Sequence, residues 1–267
     1  MHQVKDIDWE VVWQEPLKTN NIKERNWDKR AKKFHRKTKP GDYIDLLFQK
    51  LILDKEDTVL DLGCGEGSIS IPIANRVKSV TCLDSSRGML EVLSDKAREN
   101  KVTNIKTILS SIEDISYDDL GHYDVVVASR SMNNIIPIRK TIETINEIAN
   151  KYVFISLIGP ESWKPEREFK ESVGIDSNYS SYITLLNLLY SMGIYANVER
   201  LNIKTHNVYE DLADAMGMYR EDLLNNTEKE KLVEYLNKTL TVDKETGKLF
   251  NKKDKSDWIL IWWKKDF

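Results

Sequence analysis

The sequence predicts an α/β fold built on a parallel β-sheet. Residues 57–67, DTVLDLGCGEG, begin as an apolar, β-favouring strand and end in three alternating glycines, and a helical pattern opens at Ser68. A second short apolar strand follows and ends in Asp84. Strand patterns then continue to alternate with helical ones, with strands at 105–109, 123–129, 152–158 and 194–205 and a helix at 138–150. Strands that alternate with helices in this way are typical of βαβ units and a parallel sheet.

The glycine turn is the first indication of function. A strand, a glycine turn and a helix form the layout that holds a nucleotide against a parallel sheet. Gly63, Gly65 and Gly67 suit that layout, because a Cβ would keep the ligand from the backbone and some turns need a positive φ. A glycine-rich stretch of this kind can also be an ordinary tight turn that binds no ligand. The elements that follow it therefore decide between the two interpretations.

Asp84 stands at the end of the second strand pattern, close to the interval of about 20 residues after the glycines that a ribose-binding acid shows. A carboxylate there accepts hydrogen bonds from ribose hydroxyls. The alternative is that Asp84 caps the helix predicted over residues 87–100. The spacing favours the ribose role.

The order of acid and glycines points to a family. Asp61 lies two residues before Gly63, and the stretch is written D-x-G-x-G-x-G. This resembles motif I of the class I S-adenosylmethionine (SAM) dependent methyltransferases, and the resemblance covers roughly residues 50–160. It implies SAM as cofactor and S-adenosylhomocysteine (SAH) as product. It also implies a seven-stranded, mostly parallel sheet in the order 3-2-1-4-5-7-6, with strand 7 antiparallel and helices on both faces.

The resemblance also implies a set of cofactor-binding residues. In the family an Asp often follows strand 3 and bonds the adenine amine, with a small apolar neighbour, whereas this chain has Ser111 and Ile112 there. A serine makes the weaker hydrogen bond. The implied set is Asp61, Gly63, Cys64, Gly65, Gly67, Asp84, Ser85, Met89, Ser111, Ile112 and Ser129.

Composition limits the other classes of function. The 267 residues carry a net charge of −3, a balance that does not suggest a protein coating nucleic acid. Cys64 and Cys82 are the two cysteines, which argues against a disulfide framework or a zinc site and favours a cytoplasmic, reducing location. No apolar run approaches the about 18 residues of a membrane span. We therefore expect neither a metal nor a membrane partner.

The predicted organisation is a single class I methyltransferase domain over residues 1–267, with a helical cap at 1–50. In the family the connection between strands 6 and 7 is often a short hairpin, but here residues 207–255 intervene. A structureless loop of that length is unusual, so the insertion should be helical. Because strand 6 ends at the cofactor edge, we expect the insertion to form a lid, and a roofed pocket suits a small substrate.

The N-terminal region contains a strongly basic segment, residues 23–39. Trp27, Ala31 and Phe34 recur at helical spacing and predict one apolar stripe. The sequence leaves three roles open for the Lys and Arg residues of this segment: a solvated helix face, contact with an anionic substrate, or contact with RNA. In many relatives an N-terminal helix lies over the cofactor pocket, so the resemblance makes Trp27 and Phe34 candidate substrate contacts.

Candidate acceptor-side residues follow strand 4, in the stretch SRSMNN of residues 129–134. It lacks the Asn/Asp-Pro-Pro-aromatic tetrad that methyltransferases of nucleobase and glutamine amino groups use. Arg130 binds an anionic substrate group or pairs with a structural acid, and Asn133 is a further candidate. No residue has the sequence context of a general base, and the weak candidates are His35, Tyr43, Tyr179, Tyr182 and His206.

The leading hypothesis is therefore a SAM-dependent methyltransferase acting on a small cytosolic metabolite. The alternatives are an RNA methyltransferase that uses residues 23–39, and a non-catalytic SAM-binding protein. A nicotinamide-dependent oxidoreductase is disfavoured, because its fingerprint spaces the glycines differently. The acceptor and the oligomeric state are left open by the sequence.

Overall fold

A computed structural model describes residues 7–19, 27–28, 31, 42–175, 179–204, 207–244 and 246–265. The candidates Phe34, His35 and His206, and most of the basic segment 23–39, lie outside these ranges. Within them, no helix is both long enough and apolar enough to cross a membrane.

The described helices and strands alternate through most of the chain. In chain order they are α1 (Trp9–Thr19), α2 (Asp42–Phe48), β1 (Thr58–Leu62), α3 (Ser70–Ala74), β2 (Ser79–Asp84), α4 (Arg87–Glu99), β3 (Ile105–Leu109), α5 (Tyr117–Leu120), β4 (Tyr123–Ser129), α6 (Ile138–Ile148), β5 (Ala149–Ile158), α7 (Lys164–Ser172), α8 (Tyr182–Ser191), β6 (Asn197–Leu201), α9 (Leu212–Met218), α10 (Asn226–Thr239), β7 (Leu240–Val242), β8 (Leu249–Asn251) and β9 (Trp258–Lys264). Short 3-10 helices span Ile112–Asp114 and Glu221–Leu223.

Seven of these strands form one sheet in the order β3-β2-β1-β4-β5-β9-β6. The pairs from β3 to β5 are parallel, and β9 runs antiparallel to both β5 and β6. With β9 as the seventh strand, this is the predicted order 3-2-1-4-5-7-6. The carboxyl ends of β1, β2, β4 and β5 consequently meet at one edge, where ligands bind in open α/β sheets.

The apolar residues of the central strands explain why this sheet forms. Leu60, Val126 and Ile155 are fully buried in one cluster with Ile142 of α6. Strands that are buried on both faces of a sheet consist of near-continuous apolar residues, as these strands do. Helix α1 joins the same cluster through Trp13, whose Nε1 donates to the Ile135 carbonyl at 2.6 Å.

The chain divides into two compact units. The first comprises residues 1–158, 179–201 and 258–267, and the second comprises 159–178 and 202–257. The second unit has its own apolar cluster, in which Phe169 of α7 packs with Leu232 and Leu236 of α10. Its two chain segments are also joined by hydrogen bonds, since the Gly159 N–H donates to the Asp257 carbonyl at 2.7 Å and the Asp257 N–H donates to Ser162 Oγ at 2.7 Å.

Several predicted boundaries require correction. The helix predicted over 138–150 ends at Ile148, because β5 pairing extends back to Ala149, opposite Tyr123. Strand 6, predicted over 194–205, is limited to the five residues that pair with β9. The insertion 207–255 contains the expected helices and also the β7–β8 hairpin, which the sequence analysis did not predict.

Candidate cofactor and acceptor site

The glycine turn after β1 is built as the sequence suggested. Gly63, Gly65 and Gly67 have φ values of +71°, +56° and +83°. A Cβ on Gly63 would lie 2.4 Å from Ser131 Cβ, and one on Gly67 would lie 2.9 Å from the Leu93 side chain. No atom of the described residues lies within 4 Å of the Cβ position of Gly65. The first and third glycines therefore permit close packing, whereas the second faces open space.

Asp84 connects this turn to the next helix. Its Oδ2 accepts from the Gly65 N–H at 2.8 Å and its Oδ1 from the Ser86 N–H at 2.8 Å. A carboxylate has about four acceptor positions, so further donors can still bind it. Burial raises the pKa of Asp84, and the backbone donors act in the opposite direction. The helix cap proper is Ser86, whose Oγ accepts from Met89 N–H, so the alternative of Asp84 as the cap is wrong.

Asp61 is buried beneath the turn. Its Oδ2 accepts from Ser70 Oγ at 2.5 Å, and its Oδ1 has no hydrogen-bond partner in the described part of the chain. Burial raises the pKa of Asp61 to about 7, and the nearby carboxylates of Asp84 and Glu66 act in the same direction. A buried carboxylate with an open oxygen is an acceptor that a cationic or hydroxyl-bearing ligand can satisfy.

The loop after β3 borders the same turn. Ile112 is buried, with its Cδ1 3.3 Å from the Cβ position of Gly63. Ser111 Oγ accepts from the Glu113 N–H at 3.3 Å, which leaves its hydroxyl proton available for an acceptor such as an adenine nitrogen. Cys64 and Met89 are buried, and Ser85 is exposed.

A chain of hydroxyl groups joins β4, β5 and α2. The Tyr43 hydroxyl lies 2.7 Å from Ser129 Oγ and 2.6 Å from Ser156 Oγ. Burial raises the pKa of Tyr43, against the opposing effects of Arg130 and the two serines. A phenol that is buried and hydrogen-bonded to two serines is a poor general base. The structure therefore favours a role for Tyr43 in positioning neighbouring side chains.

Arg130 and Asn133 occupy the loop that leaves β4. The Arg130 guanidinium lies over the Tyr43 ring, 4.3 Å from its centroid, and 5.7 Å from the centroid of Trp258. Asn133 Oδ1 accepts from the Ile158 N–H at 3.0 Å, at the end of β5. The side-chain amide oxygen of Asn133 therefore holds the end of β5, and its NH₂ group remains as a hydrogen-bond donor for a substrate.

The N-terminal region reaches the site through a contact that the sequence analysis missed. Asp28 Oδ1 accepts from Ser86 Oγ at 2.6 Å and from the Gly88 N–H at 2.9 Å, at the start of α4. Ala31 packs with Met89 and Val92 of the same helix, while Trp27 is 42% exposed. No local pattern signals the Asp28 contact, because the two partners are 58 residues apart.

Two other candidates lie at α8. Tyr182 is the first residue of α8 and packs against the main apolar cluster, and Tyr179 is half-buried before it.

In the second unit, a cavity of about 10 Å³ is lined by Trp163, Tyr209 and Tyr219 among others. It has room for one water, which is too little for a methyl acceptor.

The donor set fits a nucleoside cofactor, because an open glycine face, a strand-end carboxylate and an apolar neighbour meet at one edge. Residues 59–151 match the family model described as "Methyltransferase domain". They form a class I, SAM-dependent methyltransferase domain. The cofactor of this domain is SAM.

Similarity to other proteins extends over nearly the whole chain in one case and over part of it in another. The chain is 29% identical to an uncharacterized protein from Haemophilus influenzae, over 98% of both chains. It is 33% identical over 105 residues to a protein of Methanococcus maripaludis named as a cobalt-precorrin-6B C(15)-methyltransferase. That alignment covers 39% of this chain and 58% of the relative.

Solved structures show the same fold. YcgJ protein from Bacillus subtilis has a TM-score of 0.58 at 14% identity, over 85% of this chain and 99% of the other. A candidate methyltransferase from Bacillus halodurans C-125 has a TM-score of 0.59 at 17% identity, over 85% of this chain and 100% of the other. Coclaurine N-methyltransferase, solved with N-methylheliamine and SAH bound, has a TM-score of 0.51 at 14% identity and covers 99% of this chain and 95% of its own.

Proposed function

We propose that this methyltransferase transfers a methyl group from SAM to a small cytosolic metabolite. The observation that carries the proposal is the open face of Gly65, whose N–H is bonded to Asp84 at the carboxyl edge of the sheet. We propose that Gly63–Gly67, Asp61 and Asp84 hold the cofactor, with Ser111, Ile112, Met89 and Ser129 around it. The second unit acts in this proposal as a lid that excludes water from the acceptor.

The small-molecule class is supported by what the relatives are named for. These include cobalt-precorrin-6B C(15)-methyltransferase, and a ubiquinone biosynthesis O-methyltransferase of Rickettsia akari that is 35% identical over 97 residues. The chain spans 58% and 32% of these two relatives, so their substrates indicate a class of acceptor only. The free thiols of Cys64 and Cys82 agree with the reducing compartment that the sequence predicts.

SAM supplies a methyl group that is already activated on a sulfonium. The work of the chain is therefore to bind the two reactants, orient them and exclude water. A general base is needed only where the acceptor atom carries a proton at working pH. Among the described residues the one histidine is His122, which lies before β4 at the opposite edge and bonds Tyr117. That histidine is therefore not the base in this proposal.

The test is a screen with labelled SAM. The small-molecule fraction of a cell extract is incubated with purified protein, and any labelled product is identified by mass spectrometry. We expect a labelled product with the wild-type protein and none with Gly65→Val. Tight SAH binding without label transfer to any metabolite would contradict the proposal and support a non-catalytic SAM-binding protein.

A further inference from the structure

Arg130 is a cation that lacks an ion-pair partner in the described part of the chain. Arg130 is an exposed residue, and no carboxylate of the described residues lies within ion-pair distance of its guanidinium. By contrast, Arg98 pairs with Asp95 at 3.0 Å and Arg139 with Glu10 at 3.8 Å. The structural alternative for Arg130, pairing with an acid, therefore has no support among the described residues.

The Arg130 side chain is held on a rigid aromatic support. It lies over the ring of Tyr43, and the Tyr43 ring meets the Trp258 ring edge-on with centroids 5.7 Å apart. Tyr43 is 5% exposed and its hydroxyl is fixed by Ser129 and Ser156. Stacking uses the face of the guanidinium and leaves its in-plane N–H groups free. Those donors form a fork that matches a carboxylate or a phosphate.

The backbone at Arg130 is also unusual. Its φ is +61°, in the left-handed region, which costs a non-glycine residue free energy. The Arg130 N–H donates to Ser156 Oγ at 2.9 Å, and this bond holds the residue in that conformation. A side chain kept in a strained, supported position is more consistent with ligand binding than with a solvated surface.

The position of Arg130 connects it to the cofactor turn. The next residue, Ser131, is the one whose Cβ would lie 2.4 Å from a Cβ on Gly63, and its Oγ donates to the Leu62 carbonyl at 2.6 Å. The cation thus lies at the exit of β4, one residue before a side chain that packs against the glycine turn.

We propose that Arg130 binds an anionic group, carboxylate or phosphate, of the methyl acceptor. This inference rests on the proposed function, because it names the class of acceptor for the same site. The acceptor is then a small acid whose charged group is anchored on Arg130 while its reacting atom faces the cofactor. Tyr43, Ser129, Ser156 and Trp258 are positioning residues in this arrangement.

The first test does not depend on turnover. SAH-saturated protein is titrated with inorganic phosphate and with malonate, against sodium chloride at equal ionic strength, and binding is followed by thermal shift. We expect saturable binding of at least one anion to the wild type, and an affinity about 10–100-fold lower for Arg130→Met. Arg98→Met is the matched control and should behave as the wild type. Equal anion binding by wild type and Arg130→Met, or none by either, would overturn the proposal.

The second test concerns the acceptor itself. The small-molecule extract is separated on an anion exchanger near neutral pH, and each fraction is assayed with labelled SAM. We expect the acceptor in the retained fraction, with KM raised at least about tenfold in Arg130→Met and a smaller rise in Arg130→Lys. An acceptor in the unretained fraction that Arg130→Met still methylates normally would overturn the anionic class and leave the proposed function intact. Label in no small-molecule fraction would contradict the proposed function, while the anion titration still decides the site.

Two further results would show that Arg130 binds something other than the methyl acceptor: the carboxylate of the cofactor, or RNA. SAM carries a carboxylate of its own, so SAH affinity is measured for the same variants by calorimetry. A fall of at least about tenfold for Arg130→Met, with no effect on the anion titration, would place Arg130 on the cofactor. Label transferred to a ribonuclease-sensitive polymer would make the ligand RNA. Either result would overturn the proposal.

Discussion

Gly65 combines two properties that single it out at the level of the residue. Its φ of +56° strains any other L-residue, and its Cβ position faces open space. We expect Gly65→Val to lower SAH affinity at least about a hundredfold, about 2.7 kcal/mol, because a side chain would fill the space proposed for the cofactor. Isothermal titration calorimetry provides the measurement.

The matched control for Gly65→Val is Gly193→Val, after α8. Gly193 has a φ of +80°, and no atom in the described part of the chain lies within 4 Å of its Cβ position. Both substitutions should cost similar stability, and only the first should affect binding. Normal SAH binding by a folded Gly65→Val protein would show that the turn is merely structural.

The charge of Asp84 is a second property at this scale. An Asn in its place has one acceptor oxygen and an NH₂ group that would face the N–H of Gly65 or Ser86. We expect Asp84→Asn to weaken SAM and SAH binding about 10–100-fold, since hydrogen bonds to a charged group contribute about 1.5–3 kcal/mol. The exposed Asp118 of α5 provides the control, Asp118→Asn, which should bind as the wild type. Unchanged affinity in a folded Asp84→Asn protein would disprove the ribose role.

Asp61 predicts a pH dependence of stability. Its pKa is about 7 in the folded protein, against the ordinary value of 3.8 for an Asp in an unfolded chain. As pH rises from 4 to 7 the unfolded state loses this proton first, so the group lowers the free energy of unfolding by up to about 4 kcal/mol. Asp61→Asn, whose oxygen still accepts from Ser70, should remove that part of the slope. Urea unfolding of the ligand-free proteins across this pH range gives the comparison, and parallel curves for the two proteins would contradict the raised pKa.

At the scale of the element, α4 is where the segment around Asp28 is attached. Asp28 accepts from the Gly88 N–H and from Ser86 Oγ, the cap of this helix. We expect Asp28→Ala to speed hydrogen exchange at the amides of Gly88 and Met89, because the first turn loses an acceptor. Mass spectrometry of peptides from α4 detects this change, and Glu91→Ala, exposed on the same helix, is the control. Equal exchange in Asp28→Ala and wild type would show that the contact contributes nothing.

The elements also show where sequence patterns succeed. Strands β1 and β4 begin and end close to the ends of their apolar runs. A parallel strand that is buried on both faces is apolar along most of its length, so the run marks the strand. The β7–β8 hairpin was missed, since its three-residue strands carry no periodicity of their own. Its pairing depends on partners across the turn rather than on local preference.

At the scale of the whole molecule, the second unit supplies a prediction about turnover. Its two segments leave the sheet after Ile158 of β5 and Leu201 of β6. Because Phe169 from the first segment shares a cluster with α10, removing residues 207–255 alone would expose it. The appropriate variant replaces residues 159–178 and 202–257 together with short Gly-Ser linkers.

We expect that variant to bind SAH within about tenfold of the wild type, or about 1.4 kcal/mol, and to lose methyl transfer to the metabolite. The physical reason is that the proposed lid would exclude water and hold the acceptor, whereas the proposed cofactor residues are all in the first unit. Calorimetry and the labelled-SAM assay give the two measurements, with circular dichroism as a test of folding. Full turnover without the second unit would disprove the lid role.

The sequence by itself determined the order of the strands in the main sheet, the glycine turn, the strand-end acid Asp84 and the family to which these belong. Each of these depends on a local pattern within a short stretch of sequence: an apolar run, a set of glycines, or the spacing between an acid and the glycines. Only the tertiary structure decided that Tyr43 supports Arg130, that Asp28 reaches Ser86 and that Asp84 bonds the turn. The partners in the first two contacts lie far apart in the chain, since Tyr43 precedes β1 whereas Arg130 follows β4, and 58 residues separate Asp28 from Ser86. Such contacts form because the parallel sheet brings its carboxyl ends to one edge, and no local preference encodes them.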